Sequence, residues 1–167
     1  NWVRRLDWGT FSLWSVPGYH DKKFLYGRNG CLYKRDHIRA TARAIGKAKK
    51  QTNVLVAHGP PRYKGDPALD KITDGKHVGD KMLSKLIKDL GIKFGIFGHI
   101  LEAGGAVATK MGNKATSAGI AQKSLYFNAG SANGLPWGMN NGQTMRGMAA
   151  VMKLDGKTGT VLFKKIK

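Results

Sequence analysis

Three polar side chains follow short apolar runs of the sequence, at points where buried strands are predicted to end. His58 comes directly after NVLVA, His99 comes one glycine after FGIF, and Asn128 comes directly after LYF. Continuous apolar runs of this length favour strands buried on both faces. The carboxyl ends of parallel strands meet at one edge of a sheet, so these side chains are expected to converge. A lone histidine is more often packed or exposed than a ligand, but convergent neutral imidazoles can bind divalent transition metals.

Two amphipathic helices are predicted to position these strands. Apolar or small residues recur at three- or four-residue spacing over residues 36–50, with Asp36 as the expected N-cap. The same spacing recurs from Met82 to Leu90, and Gly91 is expected to end that helix. Residues 10–16 form a further predicted strand, which stops at a Pro-Gly pair.

The second half of the chain adds a loop and a hairpin to this pattern. Residues 62–78 are rich in Gly, Asp, Lys and Pro and predict a long loop, as expected over a functional site. Residues 148–154 and 160–163 flank DGKTG and predict a β-hairpin. The order of elements predicts an α/β fold with an antiparallel C-terminal part, in one domain spanning residues 1–167.

The composition limits the classes of protein that this chain can be. It has 167 residues, 41% hydrophobic and 23% charged, which is enough apolar content for a packed core. A formal net charge of +19 suits a partner or substrate rich in phosphate. The single Cys31 excludes an internal disulfide and any zinc site that needs two thiolates of this chain. No apolar run reaches the ~20 residues of a membrane span and no signal-like stretch is present, so a cytoplasmic protein is expected.

Five short motifs stand in an order and spacing that resemble the C-terminal half of calcineurin-like metallophosphoesterases. They are VLVAHGPP at 54–61, VGD at 78–80, FGHI at 97–100, EAGG at 102–105 and FNAGS at 127–131. The resemblance spans roughly Thr10 to the C-terminus. It implies a metallophosphoesterase-like α/β/β/α sandwich, of which this chain is the C-terminal part.

The resemblance also implies a chemistry and a set of site residues. Members of the family bind two divalent transition metal ions, such as Mn, Fe or Zn, and hydrolyse phosphomonoesters or phosphodiesters. His58 would be the ligand after the motif strand, and His99 the first histidine of the family's Gly-His-x-His, both serving one ion. Asn128 would help to shape the pocket and bind the substrate.

The sequence departs from the family pattern in three places. Leu101 stands where the second histidine of Gly-His-x-His is expected, and its side chain offers no lone pair to a metal. The upstream Asp-x-His and Gly-Asp-x-x-Asp motifs have no match, which leaves two, one or no bound ions as alternatives. The third upstream motif has a partial counterpart at Tyr19-His20, where His20 is either a ligand or a surface histidine after a turn.

Two explanations and two functions therefore stay open. Either the chain is the C-terminal part of such an enzyme, with a first half that is missing or carried by a separate polypeptide, or it is a degenerate relative that keeps only the scaffold. The first function is metal-dependent hydrolysis of phosphate esters. The alternative is a non-catalytic basic module on the same scaffold that binds nucleic acid or an acidic partner. No chemical role is expected for Cys31, His37 or Glu102, which are predicted to be structural or exposed. His77 is also expected at the surface, where its loop makes it more able than His37 to approach a substrate.

Overall fold

The computed structural model describes residues 4–25, 30–48, 51–66, 68–110, 114–139 and 141–165. These residues form a mixed α/β fold with two α-helices and a central sheet of parallel and antiparallel strands. The helices are α1 (Arg35–Lys47) and α2 (Lys81–Asp89). The strands, numbered along the chain, are β1 (Arg4–Trp8), β2 (Phe11–Val16), β3 (Thr52–Ala57), β4 (Phe94–Phe97), β5 (Val107–Lys110), β6 (Lys114–Ala115), β7 (Leu125–Asn128), β8 (Trp137–Gly138), β9 (Thr144–Met145), β10 (Met148–Leu154) and β11 (Gly159–Lys165).

Seven strands form the central sheet, in the order β1-β2-β3-β4-β7-β5-β6. The four inner strands β2, β3, β4 and β7 run parallel, and β1, β5 and β6 add antiparallel pairs at the edges. Helices α1 and α2 connect β2 to β3 and β3 to β4, because parallel neighbours need a crossover. Strands β4 and β7 are buried along nearly their whole length, as the apolar runs predicted.

The sheet is covered on both faces. On one face, the apolar stripes of α1 and α2, which include Ile38, Ile45 and Leu83, pack against Leu55 and Phe97 of the sheet. On the other face lies the antiparallel pair β10–β11, which we call the C-terminal ribbon. In the described part of the chain, neither α-helix is long and apolar enough to cross a membrane.

The predicted elements occur with small shifts at their ends. The predicted strands and the hairpin around DGKTG are confirmed, and α2 ends before Gly91, whose φ of 59° suits a glycine. The expected N-cap of α1 was wrong: Lys34 caps the helix, and Asp36 lies inside its first turn. The negative charge of Asp36 is favourable there, because it faces the positive end of the helix dipole. Residues 49 and 50 of the predicted helix lie outside the described residues.

Candidate functional site

The structure brings His58 and His99 together at the carboxyl edge of the sheet. Strands β3 and β4 are parallel neighbours, so the residues that follow them leave the sheet side by side. The amide of Gly98 donates to the carbonyl of His58 at 3.0 Å and ties the two chain segments together. The side chains meet with 2.9 Å between Nε2 of His58 and Nδ1 of His99. We call these two side chains the histidine pair.

His99 occupies a strained turn. Its φ is +67°, the only positive value at a non-glycine residue in the described part of the chain. The amide of Ile100 donates to the carbonyl of Gly98 at 2.8 Å, across His99. A hydrogen bond between residues two apart with this φ marks a γ-turn of the rare, strained kind. Such a conformation costs on the order of 1–3 kcal/mol and persists only where the surroundings enforce it.

Asn128 supplies much of that enforcement. Its side chain is completely buried. Nδ2 donates to the carbonyl of Ile100 at 2.8 Å and lies 3.4 Å from the carbonyl of Gly98, so it holds both sides of the turn. Oδ1 accepts the amide of Gly130 at 2.9 Å. With both polar atoms engaged, Asn128 positions the turn around His99, and its contact with a substrate stays a prediction.

Tyr19 holds the ring of His99 from the other side. Its completely buried ring lies 4.0 Å from that of His99, centroid to centroid, at an interplanar angle of 34°. Its hydroxyl donates to the carbonyl of Val78 at 3.2 Å, and its amide donates to the carbonyl of Cys31 at 2.9 Å. Gly59 makes room for this ring, because a Cβ there would overlap it. No local sequence signal links Tyr19 to His99, which stands 80 residues later.

The surroundings favour the neutral form of both imidazoles of the histidine pair. Partial burial lowers the pKa of His58, although part of its side chain is exposed. Burial, followed by repulsion from His58 and His20, lowers the pKa of His99 to about 4. Metal ligation requires neutral imidazole, so the surroundings favour the ligand form of both rings.

His20 lies close to the histidine pair without belonging to it. Its ring is 4.5 Å from that of Tyr19, and it is near enough to His99 to affect the pKa of that residue. Its Nδ1 is buried and has no hydrogen-bond partner among the described residues. His20 is thus partly buried rather than a surface histidine, with an unsatisfied ring nitrogen beside the site.

A cavity of about 820 Å³ opens beside the histidine pair. Its apolar wall includes Phe24, Ile72 and Leu101. The loop after β3 forms one side, and Thr73 at its tip donates its hydroxyl to Glu102 at 3.0 Å across the cavity. Leu101, which replaces the expected histidine, therefore lies on the cavity surface.

The loop after β3 is held in place by a buried carboxylate. Asp70 is completely buried, and its two oxygens lie 2.9 Å from Nδ1 of His77 and 3.0 Å from the amide of Gly79. The cavity wall includes Val78 but not His77. His77 therefore supports the loop through its contact with Asp70. Glu102 does line the cavity, where it accepts the bond from Thr73.

The histidine pair fits part of a metal site. Two nitrogens bound to one ion at about 2.0–2.1 Å stand about 2.9 Å apart when their bonds meet at a right angle. The observed separation is 2.9 Å, which is also the length of a hydrogen bond between the two rings in the absence of an ion. No group of three or more His, Cys, Asp or Glu side chains within the described ranges is arranged to hold an ion. The pair alone therefore supplies two ligands.

Comparisons with known proteins show the fold only. No family model and no curated protein matches the chain. Among four matching chains of solved structures, one crystal structure superposes with a TM-score of 0.58 at 15% sequence identity. The match covers 98% of this chain and 52% of that chain, so this chain spans about half the length of the protein it resembles.

Proposed function

We propose that the histidine pair is part of a divalent metal centre that hydrolyses phosphomonoesters or phosphodiesters. The 2.9 Å approach of His58 and His99, at the carboxyl ends of two parallel strands and beside a cavity, carries this proposal. The class of reaction comes from the resemblance of the HGPP, FGHI and FNAGS motifs to calcineurin-like metallophosphoesterases. In this proposal the mixed α/β fold is the C-terminal part of an α/β/β/α sandwich.

The residues of this chain would prepare the site in three ways. Partial burial lowers the pKa of both His58 and His99, which favours the neutral form that binds metals. Asn128 and Tyr19 fix the turn and the ring of His99, so ligand geometry is set before an ion binds. Leu101 and the other apolar residues of the wall reduce the access of water. Bound ions would polarise the phosphoryl oxygens and lower the pKa of a bound water.

Ligands from outside the described residues are part of the proposal. A two-metal centre needs more ligands than the histidine pair provides, and the described residues hold no third ligand in place. We assign the remaining ligands to residues outside the described part of the chain, in the same polypeptide or in a second one, which would complete the site at the carboxyl edge of the sheet. The strongly basic chain would attract the anionic substrate over longer range.

Metal binding and turnover test the proposal separately. Mn²⁺ binding is measured by isothermal titration calorimetry, and hydrolysis of bis(p-nitrophenyl) phosphate is followed with Mn²⁺ or with a chelator. We expect His58→Ala and His99→Ala to weaken Mn²⁺ binding about tenfold or more. The matched control is His37→Asn, a histidine of α1 whose Nδ1 accepts the amide of Lys34 at 3.0 Å, away from the histidine pair.

The substitution Leu101→His should strengthen metal binding. It places a third imidazole on the cavity wall, so Mn²⁺ affinity should rise. Mn²⁺ binding that depends on both histidines but supports no turnover would keep the metal centre and reject hydrolysis by this chain alone. Wild-type protein that binds no Mn²⁺ at millimolar concentration would reject the metal centre.

A further inference from the structure

The exposed side of the helix layer is strongly basic. On α1, four cations recur at every fourth residue, opposite the buried stripe that contains Ile38 and Ile45. On α2, three more cations are exposed, opposite Leu83 and Ile87. These seven side chains, which we call the basic helix face, are Arg35, Arg39, Arg43, Lys47, Lys81, Lys85 and Lys88. The two helices contact each other, so their cations share one surface.

Most of this charge is not neutralised within the protein. Arg39 pairs with Asp36 at 3.4 Å, and Lys85 pairs with Asp89 at 2.6 Å. The other five cations form no ion pair with the described residues. Asp36 and Asp89 are the only exposed carboxylates on the two helices, which leaves a surplus of five positive charges. Unpaired like charges repel one another, so such a surface is favourable mainly when it meets an anion.

The basic helix face begins at the same edge of the sheet as the histidine pair. Each helix starts near the carboxyl end of the strand before it, because it must run back to begin the next parallel strand. The hydroxyl of Tyr33, just before α1, donates to Asp80, the N-cap of α2, at 2.7 Å and holds the two starts together. The basic helix face extends about 20 Å from this edge of the sheet, which is the length of the 13-residue helix α1.

We propose that the basic helix face binds the phosphate backbone of double-stranded nucleic acid without reading its sequence. Cations four residues apart on a helix recur about every 6 Å, and a duplex presents one negative charge per ~1.7 Å of its axis. Neither α1 nor α2 carries a Phe, Tyr or Trp, so the face has no ring on which single-stranded bases would stack. This interaction does not rest on the proposed hydrolysis.

The experiment compares two variants of equal net charge. The first replaces Arg35, Arg39, Arg43 and Lys47 by Gln, which keeps helix propensity. The matched control replaces four exposed cations of the C-terminal ribbon and its turn, Lys153, Lys157, Lys164 and Lys165, by Gln. Binding of a fluorescein-labelled 30-base-pair duplex of random sequence is measured by anisotropy from 50 to 200 mM salt, with chelator present. Circular dichroism confirms that each variant is folded.

The slope of log affinity against log salt concentration is the decisive quantity. Seven phosphate contacts give a slope of about −6, and loss of the four on α1 brings it to about −3. The ribbon variant should keep the wild-type slope. Equal losses in both variants would overturn the proposal, because binding would then follow net charge alone. So would tighter binding of a single strand of the same length, preferential binding of poly-L-glutamate, or no binding of the wild type at 50 mM salt.

Discussion

The turn around His99 and the turn of the C-terminal ribbon are held in different ways. Residues 155–158 stabilise themselves: Asp155 accepts the amides of Lys157 and Thr158 at 2.9 and 2.6 Å, and Gly156 takes the positive φ of 89°. The His99 turn places a non-glycine residue at φ +67°. It is held by Asn128 and Tyr19, which are distant along the chain. The ribbon turn is thus stabilised by its own residues, whereas the strained His99 turn is stabilised by residues that are distant along the chain.

Asn128→Ala should cause the largest loss of stability, because Asn128 is a distant support of the His99 turn. It removes the donor to the carbonyls of Ile100 and Gly98 and the acceptor for the amide of Gly130, all in a buried site. Buried polar groups without partners cost about 1–3 kcal/mol each, so a loss of about 3 kcal/mol in the free energy of unfolding is expected. The measurement is urea denaturation.

The control for that variant is Asn141→Ala. Asn141 is exposed, and its side chain accepts the amide of Gln143 at 3.0 Å and donates to the side chain of the same residue at 3.2 Å. A change below about 0.5 kcal/mol is expected there. If both alanine variants lost equal stability, the His99 turn would not depend on its distant support.

Gly59→Ala should cause the next largest loss of stability, because it disturbs Tyr19, the second residue that supports His99. The new Cβ would overlap the ring of Tyr19, which must move away from His99. Overpacking of this kind costs about 1–3 kcal/mol. Gly46→Ala in α1 is the opposite control, since nothing lies within 4 Å of its Cβ position. It should stabilise the protein by about 0.5–1 kcal/mol in a thermal or urea unfolding measurement. Equal signs for the two variants would show that Tyr19 is not held as described.

The strain at His99 itself can be isolated by comparing two substitutions at each member of the histidine pair. At His99, glycine should give a protein more stable than alanine by about 1–2 kcal/mol, because only glycine adopts a positive φ at no cost. At His58, whose φ is not positive, alanine should be the more stable by about 0.5–1 kcal/mol. The sign of the difference therefore reverses between two neighbouring histidines. The same sign at both positions would mean that His99 is unstrained.

The two turns also show which features could be predicted from the sequence. The hairpin around DGKTG was predicted correctly because its stabilising contacts are made by its own residues. The parallel strands and α2 were likewise encoded in local apolar patterns. The approach of His58 and His99 followed from the rule that parallel strand ends meet at one edge.

The roles of the supporting residues could not be predicted in the same way. The support that Asn128 gives to the His99 turn was not foreseen, because its neighbours come from the turn after β4, the loop after β3 and its own turn. Those contacts exist only once the sheet has formed. The edge strand β1 was missed because its five residues are all exposed and its apolar alternation is limited to Leu6 and Trp8. Sequence patterns thus predicted that His58 and His99 meet, while the supporting roles of Asn128 and Tyr19 follow from tertiary contacts.

The smallest expected effect concerns the ribbon turn and its dependence on pH. Hydrogen bonds from the amides of Thr158 and Lys157, then from the hydroxyl of Thr158, lower the pKa of Asp155 from 3.8 to about 2. A carboxyl whose pKa is lower in the folded state stabilises the fold above its unfolded value and loses that contribution as pH falls through the folded value. The stabilisation is therefore present above about pH 4 and lost towards pH 2.

Asp155→Asn should therefore flatten the stability curve of the wild type at the acid end. Urea midpoints at pH 5, 4, 3 and 2.5 should show the variant less stable at pH 5, with the two curves approaching each other as the wild-type carboxylate is protonated. Thr158→Ala removes only the hydroxyl bond at 2.8 Å and should give an intermediate curve. Parallel curves for the wild type and Asp155→Asn would mean that the turn owes its stability to Gly156 alone. The ribbon turn would then depend on a residue of positive φ, as the His99 turn does. The two turns would differ only in whether nearby or distant residues stabilise that conformation.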